Sequence, residues 1–405
     1  MSTPARGDGW RVAAASAVGV YCASQPFFTF SVFLKPMAET FSWSRETAGS
    51  AYGVMALCAA LAAPVLGSAL DRVGGHRIIP RALLVAGLGV MSLAALTDDL
   101  WHFFIVFSVI GIATIGTSPV AYARVVFTWF EHQRGRALAV MLAGAGLSGM
   151  TFPPAAQWLI QRAGWRQAWF VLGLVTVTLG VPIVFKFVRE RSAPSAHDRA
   201  HVWPVLVRAL HSRMFWTLIV VTFASTLAVN GIGVHMTALL TDRGVLPARA
   251  AMVLSALAAG NLTGRLVTGW LIDRLPAARV GAGLLAVTAA AILVLSTAHT
   301  FERGIVAAVV MGFGAGGEFD IAPYLLGRYF GLRSIATLYG LMWLAIGSAA
   351  AVGPVLLGRA YDRTGSYDSL IVTLAGVTFA AALLMLTLPG SIGETATPES
   401  ESRAG

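Results

Sequence analysis

Long apolar runs alternate with short polar segments along almost the whole chain. Most of these runs reach roughly 20 residues, the length that an α-helix needs to cross the hydrocarbon core of a bilayer. The pattern predicts twelve spanning helices, near residues 11–34, 47–70, 78–97, 101–128, 137–160, 167–187, 214–241, 251–272, 279–298, 304–327, 335–357 and 369–388.

The composition agrees with an all-α membrane protein. Hydrophobic residues make up 57% of the 405 residues, charged residues 12%, and the mean hydropathy is +0.73, whereas soluble domains carry about a quarter charged residues. The first apolar run is too long for the core of a cleavable signal peptide, so we expect it to stay in the protein. Cys22 and Cys58 both lie in predicted spans, which indicates neither a disulfide framework nor a metal site. Without a nucleotide-binding loop or a nucleophile–base set, we expect no cofactor and neither an ATP-driven pump nor an enzyme.

The net charge of +10 could indicate a nucleic-acid partner, but the charges follow membrane topology instead. If the N-terminus is cytoplasmic, most of the lysines and arginines fall in cytoplasmic tails and loops, as the positive-inside rule requires. We therefore predict a multi-pass protein of the plasma membrane, in a bacterium the inner membrane, with both termini cytoplasmic. The lipid bilayer is the expected partner, and nucleic acid is not.

The predicted spans divide into two sets of six. Residues 188–213 form the longest polar stretch between spans and contain Arg, Ser and Pro, which is typical of a linker. We predict an N-terminal half at 1–187, a cytoplasmic linker at 188–213, a C-terminal half at 214–388 and a disordered cytoplasmic tail at 389–405.

Short motifs repeat between the two sets. Gly67-Ser-Ala-Leu-Asp71-Arg72-Val-Gly74-Gly-His76-Arg77 returns as Gly269-Trp-Leu-Ile-Asp273-Arg274, and Gly164-Trp165-Arg166 has a counterpart in Gly365-Ser366-Tyr367. Twelve spans in two halves with this loop motif between spans two and three resemble the major facilitator superfamily over essentially the whole chain. The resemblance implies two pseudo-symmetric six-helix halves and transport of a solute between them. It also implies a gating role at the cytoplasmic side for Gly67, Asp71, Arg72, Gly74, Arg77, Asp273 and Arg274; the plainer interpretation is that these residues fix topology and tight turns.

Charged residues inside predicted spans indicate where a substrate binds, because a charge at a helix centre costs about 2.5–3.5 kcal/mol on insertion scales. Arg265 lies in span eight, and Asn261 one turn earlier shares its face. A guanidinium can bind a carboxylate through two parallel hydrogen bonds. Arg265 and Asn261 are therefore candidate substrate ligands, although a structural ion pair between Arg265 and Glu318 or Asp320 is an alternative.

Four further residues are candidates for proton coupling or for charge pairing. Glu318 and Asp320 follow a glycine-rich stretch in span ten, and residues two apart on a regular helix point in different directions. One carboxylate could pair with an arginine while the other binds and releases a proton. Arg124 in span four could gate, pair with Asp320 or extend to the cytoplasm, and His235 in span seven could titrate near neutrality or simply pack.

Several segments also resemble the monocarboxylate-porter and oxalate/formate-exchanger branch. Trp129-Phe130 through Gly149 is similar to its fifth-span signature, and Asn261-x-x-x-Arg265 falls where that branch has a substrate arginine. Leu34-Lys35-Pro36 matches a lysine that this branch has at the outer end of span one. Lys35 could attract anions to the outer mouth or be an ordinary interfacial anchor. In this superfamily spans one, four, seven and ten line the cavity, which implies secondary contacts from three residues: Tyr21, Gln25 and Tyr122.

We therefore predict a secondary active transporter that moves a small organic carboxylate by alternating access, with a monocarboxylate favoured and a proton as co-substrate. The porters have an aspartate where this chain has Asn261, so the proton site is not carried over from them. Proton-coupled efflux of drugs or metabolites is the alternative; such exporters typically carry Gly-Pro-x-x-Gly-Gly in span five, where this chain has Ala143-Gly-Ala-Gly-Leu-Ser-Gly149. A membrane sensor would bind without transporting, but short loops and no output domain argue against it.

Overall fold

The computed structural model describes residues 6–130, 133–191, 207–330 and 335–389. Within these ranges, twelve helices are long and apolar enough to cross a membrane. They are α1 (Arg6–Phe41), α2 (Arg45–Val73), α3 (Gly75–Ser92), α4 (Leu100–Gly116 and Pro119–Phe127), α5 (Arg134–Ala163), α6 (Trp165–Val175, Thr176–Gly180 and Val181–Phe187), α7 (Arg213–Asp242), α8 (Pro247–Ile272), α9 (Ala277–Ser296), α10 (Phe301–Phe330), α11 (Ile335–Thr364) and α12 (Asp368–Met385). The all-α fold class is thereby confirmed.

Most helices extend beyond the apolar runs that predicted them, and two are interrupted. The helical hydrogen bonds of α1 continue well past residues 11–34 because polar residues can stay helical outside the apolar layer. In α4 the Ser118 side chain accepts a hydrogen bond from Ala121 N–H and begins a new helical segment at Pro119. In α6 a π-helical turn separates two α-helical segments. Most of the predicted linker, at 192–206, and nearly all of the predicted tail, at 390–405, lie outside the described residues.

The most extensive contacts between the N-terminal six helices and the C-terminal six come from two helix pairs, and α1 also meets α7, where the Ser31 hydroxyl donates to the Thr237 hydroxyl at 3.1 Å. In the first, α2 packs on α11 so closely that a Cβ added to Gly53 would lie 2.6 Å from the Ala351 carbonyl oxygen. In the second, α5 packs on α8, where the Leu262 side chain covers Gly146. The two pairs are equivalent under exchange of the halves, because α2 and α8 are the second helices of their halves and α5 and α11 are the fifth.

The repeated glycines end corresponding helices. Gly164 (φ 86°) follows α5 and Gly365 (φ 71°) follows α11, and a positive φ is easily adopted only by glycine. We call the end of the bundle that carries the α1–α2, α7–α8 and α11–α12 connections the far end. The end that carries the α2–α3 and α8–α9 connections is the basic end, which the charge distribution predicts to be cytoplasmic.

Four glycines allow α8 and α10 to cross in backbone contact. A Cβ added to Gly260 or Gly264 of α8 would lie 2.1 or 2.0 Å from a carbonyl oxygen of α10, and one added to Gly312 or Gly316 would lie 2.0 or 2.2 Å from a carbonyl oxygen of α8. Such close approach is typical of small residues spaced four apart in membrane helices. The crossing fixes which residues of α8 and α10 can meet one turn further along.

Substitution of Gly264 by Ala is expected to destabilise the protein by about 1–3 kcal/mol, because the added methyl group forces the two backbones apart. Gly269→Ala on the same helix is the matched control, since no atom lies within 4 Å of a Cβ at that position. Thermal unfolding of the purified variants measures the difference. Equal melting temperatures for the two variants would contradict the assigned crossing.

Candidate functional site

Arg265 lies one residue beyond the glycine crossing and extends from α8 towards α10. Its Nη1 atom is 3.7 Å from Oδ1 of Asp320, and the two side chains are 32% and 43% exposed. The Nε atom of Arg265 is buried and has no hydrogen-bond partner among the described residues. Buried donors are nearly always paired, so this guanidinium retains unused donor capacity beside its ion pair.

A row of three packed aromatic rings begins beside the guanidinium. The Arg265 Cζ atom lies 5.1 Å from the centre of the Phe319 ring, a cation–π geometry. Trp343 of α11 packs edge-on against Phe319 with ring centres 5.7 Å apart, and Tyr339 packs against Trp343 at 6.2 Å. Arg265 and Asp320 are thus a partly exposed ion pair with an apolar aromatic wall, formed by α8, α10 and α11.

Glu318 and Asp320 contact different helices. Glu318 is 7% exposed, and one of its carboxylate oxygens accepts a hydrogen bond from the Ser225 hydroxyl of α7. Asp320 lies two residues further along and turns towards α8. The arginine of this site therefore pairs with Asp320, and Glu318 lies buried between α10 and α7.

Asn261 lies at the glycine crossing. Its backbone carbonyl would be 2.2 Å from a Cβ on Gly316, and its side chain is partly buried. The residue therefore shares the α8–α10 contact that positions Arg265.

The other predicted contacts lie in the N-terminal half. The Tyr21 hydroxyl of α1 is 3.0 Å from the Thr151 hydroxyl of α5, and its side chain is partly buried. Gln25 is fully buried; its Nε2 donates to the Thr29 hydroxyl at 3.1 Å, and its Oε1 has no partner among the described residues. Tyr122 is also fully buried, with its hydroxyl against Gly19 of α1. The structure does not bring Tyr122 together with Arg265.

Lys35 takes part in an ion-pair cluster at the far end. Its Nζ atom is 2.9 Å from Oδ1 of Asp242, and Nη1 of Arg45 is 2.5 Å from Oδ2 of the same carboxylate. Lys35 and Arg45 belong to the N-terminal half and Asp242 to the C-terminal half. A single carboxylate therefore joins two cations of the opposite half.

His235 belongs to the same region. Its Nε2 is 2.9 Å from the Pro354 carbonyl oxygen, which can only accept, so Nε2 carries the proton. Nδ1 of the neutral ring, 3.1 Å from the Tyr367 hydroxyl, then accepts from it. Arg45 donates to that hydroxyl at 2.6 Å, and its guanidinium also lies 3.7 Å from the centre of the Tyr361 ring. His235 is thus buried and belongs to a hydrogen-bonded chain that ends at the contact between the halves.

Asp362 is a functional candidate that the sequence analysis missed. Its carboxylate oxygens accept from the backbone N–H groups of Arg45 and Glu46, at 3.0 and 2.8 Å, so a residue of α11 caps the first turn of α2 in the other half. Glu46 also pairs with Arg359 at 2.5 Å. A signal existed, because Gly358-Arg-Ala-Tyr-Asp362-Arg363-Thr-Gly365 has the same spacing as the motif Gly67-x-x-x-Asp71-Arg72-x-Gly74.

The predicted gating residues lie at the basic end without a described contact between the halves. No atom lies within 4 Å of a Cβ placed on Gly67 or Gly269. The Arg274 guanidinium lies 4.1 Å from the centre of the Trp270 ring on its own helix, and Asp273 is exposed. The side chain of Asp71 lies outside the described residues. Arg72, Gly74 and Arg77 line a pocket formed by the N-terminal half and the residues that follow α6. Arg124 of α4 is partly buried.

Among the described residues, no group of three or more His, Cys, Asp or Glu side chains is placed to hold a metal ion. The arrangement at Arg265 is instead suited to an organic anion. The guanidinium offers hydrogen-bond donors to a carboxylate, and the rings offer apolar surface to the rest of a small molecule.

The family model of the Major Facilitator Superfamily matches residues 16–354. Rat monocarboxylate transporter 13 is 26% identical over 330 residues, which cover 80% of this chain and 76% of the relative. Human monocarboxylate transporter 11 is 27% identical over 413 residues, covering 96% of this chain and 84% of the relative.

Two solved structures share the fold. The nucleoside transporter NupG, solved as a point mutant, superposes with a TM-score of 0.78 at 10% identity and covers 93% of this chain and 98% of its own. A bacterial homologue of the human lysosomal transporter Spinster gives a TM-score of 0.72 at 15% identity, covering 95% and 96%. The agreement extends over nearly the whole chain, at identities that show the fold alone.

Substitution of Asp242 by Asn should lower the free energy of unfolding by about 1–3 kcal/mol, because Lys35 and Arg45 lose the carboxylate between them. Glu302→Gln is the matched control: this acid is exposed at the same end and forms no ion pair among the described residues. Thermal melting compares the two variants. The cluster would be dispensable for stability if both variants melted at the wild-type temperature.

Proposed function

Because this chain belongs to the major facilitator superfamily and is a multi-pass membrane transporter, not an enzyme, we propose that it transports a small organic carboxylate, with a monocarboxylate favoured. One observation carries this proposal. The buried Nε donor of Arg265 has no described hydrogen-bond partner. Its ion-pair partner Asp320 is 3.7 Å from Nη1, beyond hydrogen-bond distance. A carboxylate that binds the guanidinium in two-pronged geometry would supply the missing acceptor.

The surroundings of Arg265 favour a monoanion with an apolar body. The Phe319 ring lies beside a single guanidinium, and Trp343 and Tyr339 extend the aromatic surface from Phe319. Arg265 is the one cation in the described contacts of this wall, so a second ligand carboxylate would be desolvated without a described cation to pair with it. The printed names of the two mammalian relatives, both monocarboxylate transporters, support the same substrate class.

Proton coupling follows from competition for Arg265. A substrate carboxylate that binds the guanidinium displaces Asp320 from its ion pair, and a carboxylate that loses its cation binds a proton more readily. Asp320 is partly exposed, so it can exchange that proton with water. Substrate and proton then cross together, and Asp320 is the proposed proton carrier, while Glu318 remains bound to Ser225.

Alternating access is supported by the difference between the two ends. At the far end, contacts between the halves include Lys35 and Arg45 with Asp242, Asp362 with the first turn of α2, and Arg359 with Glu46. At the basic end the described motif residues make no such contact. With the basic end in the cytoplasm, as the positive-inside rule favours, this arrangement is the inward-facing state of a transporter in the cell membrane with both termini cytoplasmic.

Replacement of Arg265 by Lys should raise the half-saturating substrate concentration by roughly 10- to 100-fold, because the ammonium keeps the charge but loses the paired hydrogen bonds. Arg265→Ala should abolish uptake. Uptake of a panel of mono- and dicarboxylic acids into proteoliposomes measures both effects, with Arg249→Lys, at the far end of the same helix, as control. Normal uptake by Arg265→Ala would falsify the proposed site, and uptake or expulsion of lipophilic cations alone would favour efflux.

Replacement of Asp320 by Asn should abolish accumulation driven by a pH gradient while downhill exchange of substrate continues, because the amide cannot carry a proton. Coupling to one proton predicts roughly tenfold accumulation per pH unit in the wild type. The assay is uptake into proteoliposomes with an imposed pH gradient, compared with Glu318→Gln. If Asp320→Asn accumulates substrate normally and Glu318→Gln does not, the proton carrier is Glu318.

A further inference from the structure

Five arginines from three segments surround a pocket of about 650 Å³ at the basic end, away from Arg265. Arg72 lies at the end of α2, Arg77 and Arg81 lie in the first two turns of α3, and Arg189 and Arg191 follow α6. All five side chains are exposed. The pocket is therefore formed by the N-terminal half together with the first residues of the linker.

One carboxylate assembles this pocket. Glu190 is 7% exposed; its Oε1 accepts from Gly75 N–H at the start of α3, 2.9 Å away, and its Oε2 lies 3.1 Å from Nδ1 of His76. Trp129 Nε1 donates to the Arg189 carbonyl at 2.6 Å and holds the same segment against α4. Glu190 is thus engaged by the α3 N-terminus, and its two arginine neighbours in sequence are brought beside those of α2 and α3.

The positive charge of the pocket is not balanced within it. No ion pair joins any of the five arginines to a carboxylate whose side chain the structure describes; Arg81 donates instead to the backbone carbonyl of Arg77 at 3.0 Å. Clustered guanidinium groups repel one another within the Debye length of about 8–10 Å. A bound anion removes this repulsion, and the planar guanidinium matches the oxygens of a phosphate group.

The surface next to the pocket is apolar. Arg77, Arg81, Leu84 and Leu88 share one face of α3 by their spacing, and Leu84 and Leu88 are 36% and 49% exposed. Phe185, which lines the pocket from α6, is 73% exposed. One helix face therefore passes from cationic to apolar in the direction from the basic end towards the middle of the bundle, which is the order of groups in a phospholipid.

We propose that this pocket binds the phosphate headgroup of an anionic phospholipid, with the acyl chains along the exposed face of α3. Basic pockets between membrane helices commonly bind such headgroups. The motif arginines Arg72 and Arg77 would then bind the lipid phosphate rather than a residue of the C-terminal half. The site is independent of the carboxylate site at Arg265.

The test measures binding of phosphatidylglycerol to the purified full-length protein, by native mass spectrometry and by the rise in melting temperature. Arg77→Gln/Arg81→Gln should weaken binding roughly 30-fold, from about 1 kcal/mol per arginine. Arg208→Gln/Arg213→Gln is the control. It removes the same charge from two exposed arginines at the end of the linker, one before α7 and one at its first residue, both outside the pocket. Zwitterionic phosphatidylcholine should raise the melting temperature of the wild type and of the control variant less than phosphatidylglycerol does.

Wild-type affinity in Arg77→Gln/Arg81→Gln, or equal losses in that variant and the control, would overturn the proposal. Equal protection by inorganic phosphate at the same concentration and ionic strength would replace the lipid by a soluble anion and overturn the lipid assignment. Should the α3 variant fail to fold, Arg189→Gln/Arg191→Gln provides the same measurement. The segment that carries these two arginines is held by Glu190 and Trp129 rather than by their side chains.

Discussion

Backbone contact between α8 and α10 determines the geometry of the candidate site. Because four glycines leave each carbonyl oxygen about 2 Å from where a methyl group would stand, neither helix can shift without losing the contact. Arg265 follows Gly264 directly, and Phe319 and Asp320 follow Gly316 within one turn. Inside a membrane the hydrophobic effect does not drive helices together, so van der Waals packing of this kind has to stabilise their association. The ion pair and the aromatic wall are consequences of that crossing.

Much of the fold could be predicted because a bilayer imposes a length and a polarity on every span. The twelve apolar runs, the loop motif and the paired glycines that end α5 and α11 are all local patterns. Arg265 could also be identified as a candidate functional residue, because a charged side chain within a span is costly and usually faces a partner or a cavity. The sequence did not indicate which acid pairs with Arg265. Glu318 and Asp320 point in different directions around α10, and their orientation depends on how α10 packs against α7 and α8. Only the contacts of Ser225 and Arg265 separate the two carboxylates.

The contacts at the far end were not predictable from a single span. Lys35 was interpreted as an entry residue for anions, but its partner Asp242 is 207 residues away, and the role of Arg45 depends on Tyr367 and Tyr361 of the other half. The role of Asp362 was equally unpredictable from its own span, because it lies on α11 and caps α2, a helix of the other half. The spacing that it shares with the loop motif becomes meaningful only once α2 and α11 are known to be neighbours.

The strength of the cap that Asp362 places on α2 depends on the salt content of the surrounding solution. The cap and the pairs beside it are Coulombic, and the Arg359 and Glu46 side chains are 49% and 31% exposed. Dissolved ions therefore screen them far more than they screen the buried glycine crossing. Separation of these groups would leave the N–H groups and carboxylates to be solvated by water, so added electrolyte lowers the energy of separation. The far-end contacts between the halves are consequently sensitive to the ionic strength of the solution on that side, which is the environment outside the cell if the basic end is cytoplasmic.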